Sequence, residues 1–446
     1  MVNSCYKIQD MFKGSLIAVI LASTAVLPAF SGEPVFADTS LLNNKTIPAL
    51  QLVNDPAIRL PAGFNANIAA DDLGNARHIA AAPNGVLFVK VERLKNGKGI
   101  FRLEDVNSDG VYEKISGFGN YGGTGIAVKN GYLYASSNED VYRYRLNEKF
   151  EVPDPEHPEL IVTGLLNKRQ HESKSIALDN AGNLYVNVGA PSNACQLVDR
   201  TKGSPGQDPC PILETAGGIW RFKADRQNQS YKEGTRYATG LRNVVGLDWN
   251  SQINELFVVQ HGRDQLSQLF PEMFDAQKNA ETPAEEMFMV KEGTDCGWPF
   301  CYYDLQQKKK LLGPEYGGDG TKVERCAGKE QPLMAFPAHM APNALLFYTG
   351  NQFPSKYRNG AFIAFHGSWN RAPLRQEGYY VVFVPFKNGI PSGNWEVFAD
   401  GFAGVEEVKS PRDAKHRPCG LAEGPDGALY VTDDVKGTVY RITYKG

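Results

Sequence analysis

The chain has 446 residues, 42% of them hydrophobic and 11% aromatic, enough to bury one large core or two ordinary ones, which excludes a disordered polypeptide. Lys and Arg number 47 against 50 Asp and Glu, a formal charge of -3 without any long basic block. That balance excludes an electrostatic footprint for nucleic acid or an anionic membrane and points to a small, neutral partner.

In chain order, residues 1–37 read as an export signal: Lys7 and Lys13, an apolar run from Leu16 to Phe30, then Val35-Phe36-Ala37 as a small-residue cleavage site near Ala37. The run contains Pro28 and is shorter than a bilayer span, so no membrane span is expected in the mature chain, which would be secreted or periplasmic. An uncleaved N-terminal anchor is the alternative. Removing this segment leaves six cysteines in an oxidising compartment, which suits disulfides. The local closures are Cys195 with Cys210 and Cys301 with Cys326; Cys296 and Cys419 are left over, to pair or stay free. Residues 38–60 carry Pro48 and Pro56 without periodicity and read as an N-terminal arm or linker, so the folded domain is expected over 61–446.

From there one pattern returns: an apolar strand, an Asn-Gly or Asp-Gly turn, a second strand rich in Leu, Tyr and Val, then a third of alternating type. The second strand appears as VLFVK after Asn84-Gly85, YLYAS after Asn130-Gly131, LYVNV after Gly182-Asn183, ELFVVQHG around Asn254, AFIAFHG after Asn359-Gly360 and ALYVTDD after Asp426-Gly427. Third strands follow each time (GIFRLED, VYRYRLN, GIWRFKAD, EMFMVKEG, YYVVFVPF, TVYRITY). A fourth with a Gly-containing exit ends most units, LMAFPAH near 333 serving the irregular fourth one. The last unit stops at three strands, and FNANIAADDL near 64 can supply its fourth. The prediction is an all-β, six-bladed β-propeller of four-stranded blades, closed by an N-terminal strand that completes the last blade. Two β-sandwiches with similar hairpins are the alternative. Long insertions between 187 and 217 and between 262 and 330 would elaborate one face of the disc.

In such a ring, loops at one end of the innermost strands share a pocket. His171 precedes the third unit's first strand, Arg242-Asn243 the fourth's, His339 the fifth's and Arg417 the sixth's; Gln260-His261-Gly262-Arg263 and His366-Gly367-Ser368-Trp369-Asn370-Arg371 leave second strands. Their convergence from separate units makes them candidate functional residues, against the plainer reading of each as a solvated or packing residue. The run Asp105-Val106-Asn107-Ser108-Asp109-Gly110 has calcium-loop spacing but lacks the terminal glutamate, Glu113 coming too early, so a polar turn competes with a structural ion site.

Taken together, RQHESKSIALD, GLRNVVGLDW, VVQHGRDQL, DCGWPFCYYD, PEYGGDG, FPAHMAPNALLFYTG, AFIAFHGSWNRAP and RPCGLAEGPDGALYV resemble the secreted PQQ-dependent sugar dehydrogenases, most closely the L-sorbosone dehydrogenase branch, over roughly residues 60–444. The resemblance implies PQQ across the top of the channel, held with Ca2+. It implies His171 as the general base and Arg242 and Asn243 as the pair facing the quinone oxygens. Gly262 and Arg263 would bind calcium through backbone carbonyls, and Arg417 would meet the cofactor's carboxylates, with His339, Trp369 and Arg371 in matching loops. A sugar or sugar aldehyde would be oxidised and electrons passed to an external acceptor such as a quinone, cytochrome or dye. The acidic residue that the glucose-oxidising branch carries in the third blade is Ala190 here, which leaves the base without its expected partner. A calcium-dependent lactone hydrolase and a non-catalytic carbohydrate- or protein-binding propeller are the competing functions.

Overall fold

The computed structural model describes residues 58–446, together with the backbone of 51–52; the export signal and most of the expected arm lie outside the described residues. Six antiparallel sheets follow one another along the chain. The first has strands Ala76–Ala81, Leu87–Lys95, Lys98–Glu104 and Lys114–Phe118, and the second Ile126–Lys129, Tyr132–Ser136, Val141–Arg145 and Glu159–Thr163. The third has Ile176–Leu178, Asn183–Val188, Gly218–Lys223 and Thr235–Thr239, and the fourth Val244–Asn250, Glu255–Gln260, Glu285–Val290 and Met334–Phe336. The fifth has Pro342–Phe347, Ala361–Phe365, Tyr380–Val384 and Glu396–Ala399. The sixth, Pro418–Glu423, Leu429–Asp433 and Val439–Tyr444, takes Phe64–Ala70 from the N-terminal side as its fourth strand, Phe64 opposite Tyr444 and Ile68 opposite Tyr440. The expected propeller and its closing strand are therefore both present, the N-terminal strand completing the last blade.

Each blade is covered on both faces by its neighbours, which is why second and third strands such as AFIAF and YVVFV are continuously apolar rather than alternating, and wholly buried. The largest inter-blade cluster joins the fifth and sixth blades around Phe64, Tyr357, Phe362, Phe383 and Phe398. Phe64 meets its neighbours edge-on, centred 5.0 Å from Phe398 and 5.4 Å from Tyr357. Residues 58–60 belong to this packing: Ile58 and Leu60 are buried in the same cluster, and Arg59 bridges Asp400 through both backbone groups and an ion pair of 2.5 Å.

Two blades carry a fifth, parallel strand that the repeat did not predict: Gln229–Ser230 on Glu159–Thr163, and Thr294–Asp295 on Thr235–Thr239. Both expected disulfides, Cys195–Cys210 and Cys301–Cys326, are formed, and Cys296 and Cys419 are free and buried. The Asp105–Gly110 run is a lattice of Asx turns, Asp105 accepting from the Ser108 and Gly110 amides at 2.7 and 2.8 Å. Glu113 nonetheless folds back onto it through Asn107 at 2.7 Å and brings its carboxylate beside Asp105 and Asp109. Among the described residues no helix is long and apolar enough to cross a membrane.

Candidate active site at the channel mouth

The innermost strands all begin at the same end of the channel, so the residues ahead of them meet there. His171 sits in the left-handed region, φ 53°, unusual for a residue with a Cβ and held by its surroundings. Its Nδ1 lies 2.6 Å from the Ala190 carbonyl oxygen. A carbonyl only accepts, so Nδ1 carries the proton and Nε2 keeps its lone pair. Ala190 in turn donates its backbone N–H to the Arg242 carbonyl at 2.8 Å, which ties the histidine to the next blade. The departure at Ala190 thus removes a side-chain partner, and a backbone oxygen does the orienting. Burial, then the positive charge of Arg242, push the imidazole down to about 3, so it is neutral at physiological pH. Gly189 makes the approach possible: a Cβ there would stand 2.5 Å from the His171 carbonyl oxygen and 2.7 Å from its Cβ.

Arg242 is buried, and its guanidinium is ringed by oxygens. Nη1 donates to the Gly262 carbonyl at 2.8 Å; Nη2 donates to Asp264 Oδ2 at 2.7 Å and to Asn193 Oδ1 at 3.1 Å. Its backbone N–H donates to Gln260 Oε1 at 3.0 Å, and Gln260 Nε2 donates to Glu286 at 2.6 Å. Asp264 is the hub of the cluster. Its Oδ1 accepts from Asn370 Nδ2 at 2.9 Å and lies 3.8 Å from His339 Nδ1, while Arg200 reaches Oδ2 at 3.4 Å. Burial alone would raise its carboxyl; Arg242, His339 and Arg200 outweigh that and hold it down at about 2. Beneath it, Glu285 accepts from the Gly262 and Ala341 amides at 2.8 and 3.1 Å, and burial pushes its carboxyl up to about 8.

The remaining candidates divide. His339 joins the hub: Nε2 is 2.7 Å from the Asn279 carbonyl and therefore carries the proton, leaving Nδ1 to accept from Asn370 at 3.2 Å. Arg417 donates to the His366 and Gly367 carbonyls at 3.0 and 2.8 Å, on the far side of the mouth, where His366 also meets Asp434 at 2.8 Å. Trp369 stands 56% exposed, so it is no packing residue. Arg371 does not join: its guanidinium is spent on the carbonyls of Ala280, Ala338 and Arg375, at 2.8, 2.9 and 3.2 Å, as a loop clamp. The Arg263 side chain turns away into a buried ion pair with Glu315, which leaves open the backbone carbonyl expected to bind calcium, and the Gly262 carbonyl faces the cluster on Arg242 Nη1.

The donor set fits a hard cation, since a carbonyl, an amide oxygen and an ionised carboxylate surround one positive charge. It fits an anionic, carbonyl-rich ligand as well, because Arg242 Nε is a buried donor without an acceptor, whereas Asn243 Oδ1 and Asn370 Oδ1, buried acceptors without a donor, suit a hydroxyl or a cation.

A family model described as TrAA12-like matches residues 58–445. The chain belongs to this family. A pyrroloquinoline quinone-dependent sugar dehydrogenase of Hypocrea jecorina is 24% identical over 341 residues, 71% of this chain and 73% of that protein. A pyrroloquinoline quinone-dependent pyranose dehydrogenase of Coprinopsis cinerea is 24% identical over 279 residues, 54% of this chain and 36% of that protein. In fold, the calcium structure of a Trichoderma reesei family AA12 enzyme superposes with a TM-score of 0.70 at 21% identity, covering 90% of this chain and 98% of that one. The holo PQQ domain of the Coprinopsis cinerea pyranose dehydrogenase gives 0.68 at 20% identity, over 88% and 98%.

Several members of this cluster were not singled out from the sequence: Asn193, Arg200 and Asp264, with Asn279, Glu285 and Glu286 around them. Asn193 and Arg200 arrive on the insertion closed by Cys195–Cys210, whose path has no sequence period. Asp264 had a signal, since it follows Gly262-Arg263 in the VVQHGRDQL motif.

Proposed function

We propose that this chain is a secreted, PQQ- and calcium-dependent dehydrogenase that oxidises a sugar or a sugar aldehyde and passes electrons to an external acceptor. One observation carries the reading: a neutral imidazole, oriented by the Ala190 carbonyl with Nε2 open, stands at the channel mouth beside Arg242 and Asn243.

The chemistry assigned to the chain's own residues follows from that geometry. His171 Nε2 accepts the hydroxyl proton of the substrate, for which a neutral imidazole is suited. When bound, PQQ would supply the two-electron acceptor for the hydride, with calcium as a Lewis acid upon it. Gly262 and Asp264 would hold the metal, while Arg417, His339 and Asn370 would line the cofactor. Arg242 and Asn243 provide donors that stabilise negative charge developing on carbonyl oxygens. Trp369, exposed at the rim, offers an apolar face to a sugar ring. The two disulfides and the export signal expected over 1–37 support release from the cytoplasm.

A calcium-dependent lactone hydrolase would need several free carboxylates converging on the axis. Here Asp264 is engaged by Arg242 and Asn370, and Glu285 lies beneath with both oxygens taken by backbone amides.

The test is to titrate purified protein with PQQ and Ca2+, follow cofactor fluorescence, and add aldoses with a reducible dye. Saturable binding and dye reduction are expected, with Arg417→Ala weakening PQQ binding about 10-fold, the scale of one lost charge-assisted contact. Absence of PQQ binding to the wild type would reject the reading.

A further inference from the structure

The oxygens around Arg242 form a cage that its own guanidinium fills. The Gly262 carbonyl and Asp264 Oδ2, from one turn, and Asn193 Oδ1, from the third-blade insertion, are all spent on the two Nη atoms of one side chain at 2.7 to 3.1 Å. Arg200 adds a weaker contact of 3.4 Å to the same carboxylate oxygen. The cage is also rigid. Asn193 Oδ1 accepts the Asp264 amide at 2.9 Å, Asn193 Nδ2 donates to the Asp264 carbonyl at 2.9 Å, and the Gly262 amide is anchored on Glu285.

One feature says that the guanidinium is not the cage's best occupant. Arg242 Nε is buried without an acceptor while both Nη atoms are held by the cage. That unmade hydrogen bond is a cost that a compact dication, satisfied by oxygen ligands alone, does not carry.

We propose that the Gly262 carbonyl, the Asp264 carboxylate and Asn193 Oδ1 are the cation site of this chain. Arg242 is its internal competitor: a divalent cation enters by displacing the guanidinium, and the displaced guanidinium is then free to face the reacting centre. The inference rests on the functional reading above and deepens it. It adds Asp264 and Asn193 to the backbone carbonyls expected from Gly262 and Arg263, and it makes metal binding and the release of the catalytic arginine a single exchange. When the competent cage is a minor state, apparent affinity falls by the fraction that is open.

The experiment measures Ca2+ binding to the PQQ-free full chain by calorimetry, with Tb3+ luminescence as a second readout, and needs no turnover. Arg242→Met removes the competitor and should tighten Ca2+ binding about 10-fold or more, the factor expected if the guanidinium fills the cage roughly nine-tenths of the time. Asp264→Asn should weaken it by at least a similar factor, and Asn193→Ala by less. Should Asp264→Asn fail to fold, the Arg242→Met/Asp264→Asn pair, which removes both charges together, takes its place and should bind Ca2+ more weakly than Arg242→Met alone. Arg242→Met binding Ca2+ no more tightly than the wild type would overturn the proposal, as would undiminished binding by a folded protein carrying Asp264→Asn. The two readings fail separately: PQQ uptake without the tightening rejects the exchange and leaves the dehydrogenase assignment standing, whereas the tightening without PQQ uptake rejects the assignment and leaves the cage.

Discussion

Gly189 is the position where a single methyl group tests the placement of the base. Alanine there would put a Cβ 2.5 Å from the His171 carbonyl oxygen, against 3.4 Å at the near limit of ordinary contact, and 2.7 Å from the His171 Cβ. Neither atom is the far end of a flexible side chain, so the backbone at His171 must retreat by about 0.9 Å, the difference between those two contact distances. Overpacking of this kind costs about 1–3 kcal/mol of stability, which a domain of this size survives. Misplacing a catalytic group by about 1 Å costs on the order of 100-fold in rate. The predicted signature is therefore a split: Gly189→Ala folds and binds PQQ within a few-fold of wild type, while kcat per PQQ-loaded site falls by about 100-fold. The assay is dye reduction normalised to loaded cofactor, with melting temperature as the control for folding. A kcat per loaded site within two-fold of wild type would refute the assignment of His171 as the base.

Other predictions concern charge. In the PQQ-free protein the His171 imidazole should stay neutral down to about 3, read by NMR of labelled histidine; an inflection near 6.5 would contradict its burial beside Arg242. Because this folded value lies below that of an unfolded histidine, unfolding takes up a proton between the two, and stability present above pH 6.5 is eroded as pH falls toward 3. His171→Ala should accordingly lose less stability on acidification than wild type, by at most about 1.4 kcal/mol per pH unit, in denaturant melts. Glu315→Gln leaves the Arg263 guanidinium buried without its counter-charge and should cost about 3–5 kcal/mol in the same melts; a loss below about 1 kcal/mol would show that the pair does not hold the 262–265 turn.

The ring of blades was legible because each blade repeats one local event, an Asn-Gly or Asp-Gly hairpin with an apolar second strand, and because strand placement follows from hairpins close in sequence. The closing strand was legible by subtraction, the last unit being one strand short. His171, Arg242, His339 and Arg417 were legible by position, since each stands a few residues ahead of an innermost strand.

What the sequence concealed has physical causes. The orienting partner of His171 is the Ala190 carbonyl, and a backbone oxygen leaves no mark on residue type. Asn193 and Arg200 reach the site on an insertion of irregular path, so no period predicts where they end. Arg371 sits in the expected loop but is drawn off by three backbone carbonyls, a tertiary contact with no mark on residue type. The fifth strands arise where short extended segments cover the outer edges of two blades, a tertiary pairing with no local signature.

The central claim is that His171 takes the substrate proton during PQQ-dependent sugar oxidation. Its most direct test is anaerobic stopped-flow mixing of PQQ- and Ca2+-loaded protein with an aldose, following quinone absorbance through a single turnover. Wild type should reduce its quinone once per site and more slowly with aldose deuterated at C1, while His171→Ala keeps its PQQ and leaves it oxidised. Quinone reduction by His171→Ala at a near wild-type rate would contradict it.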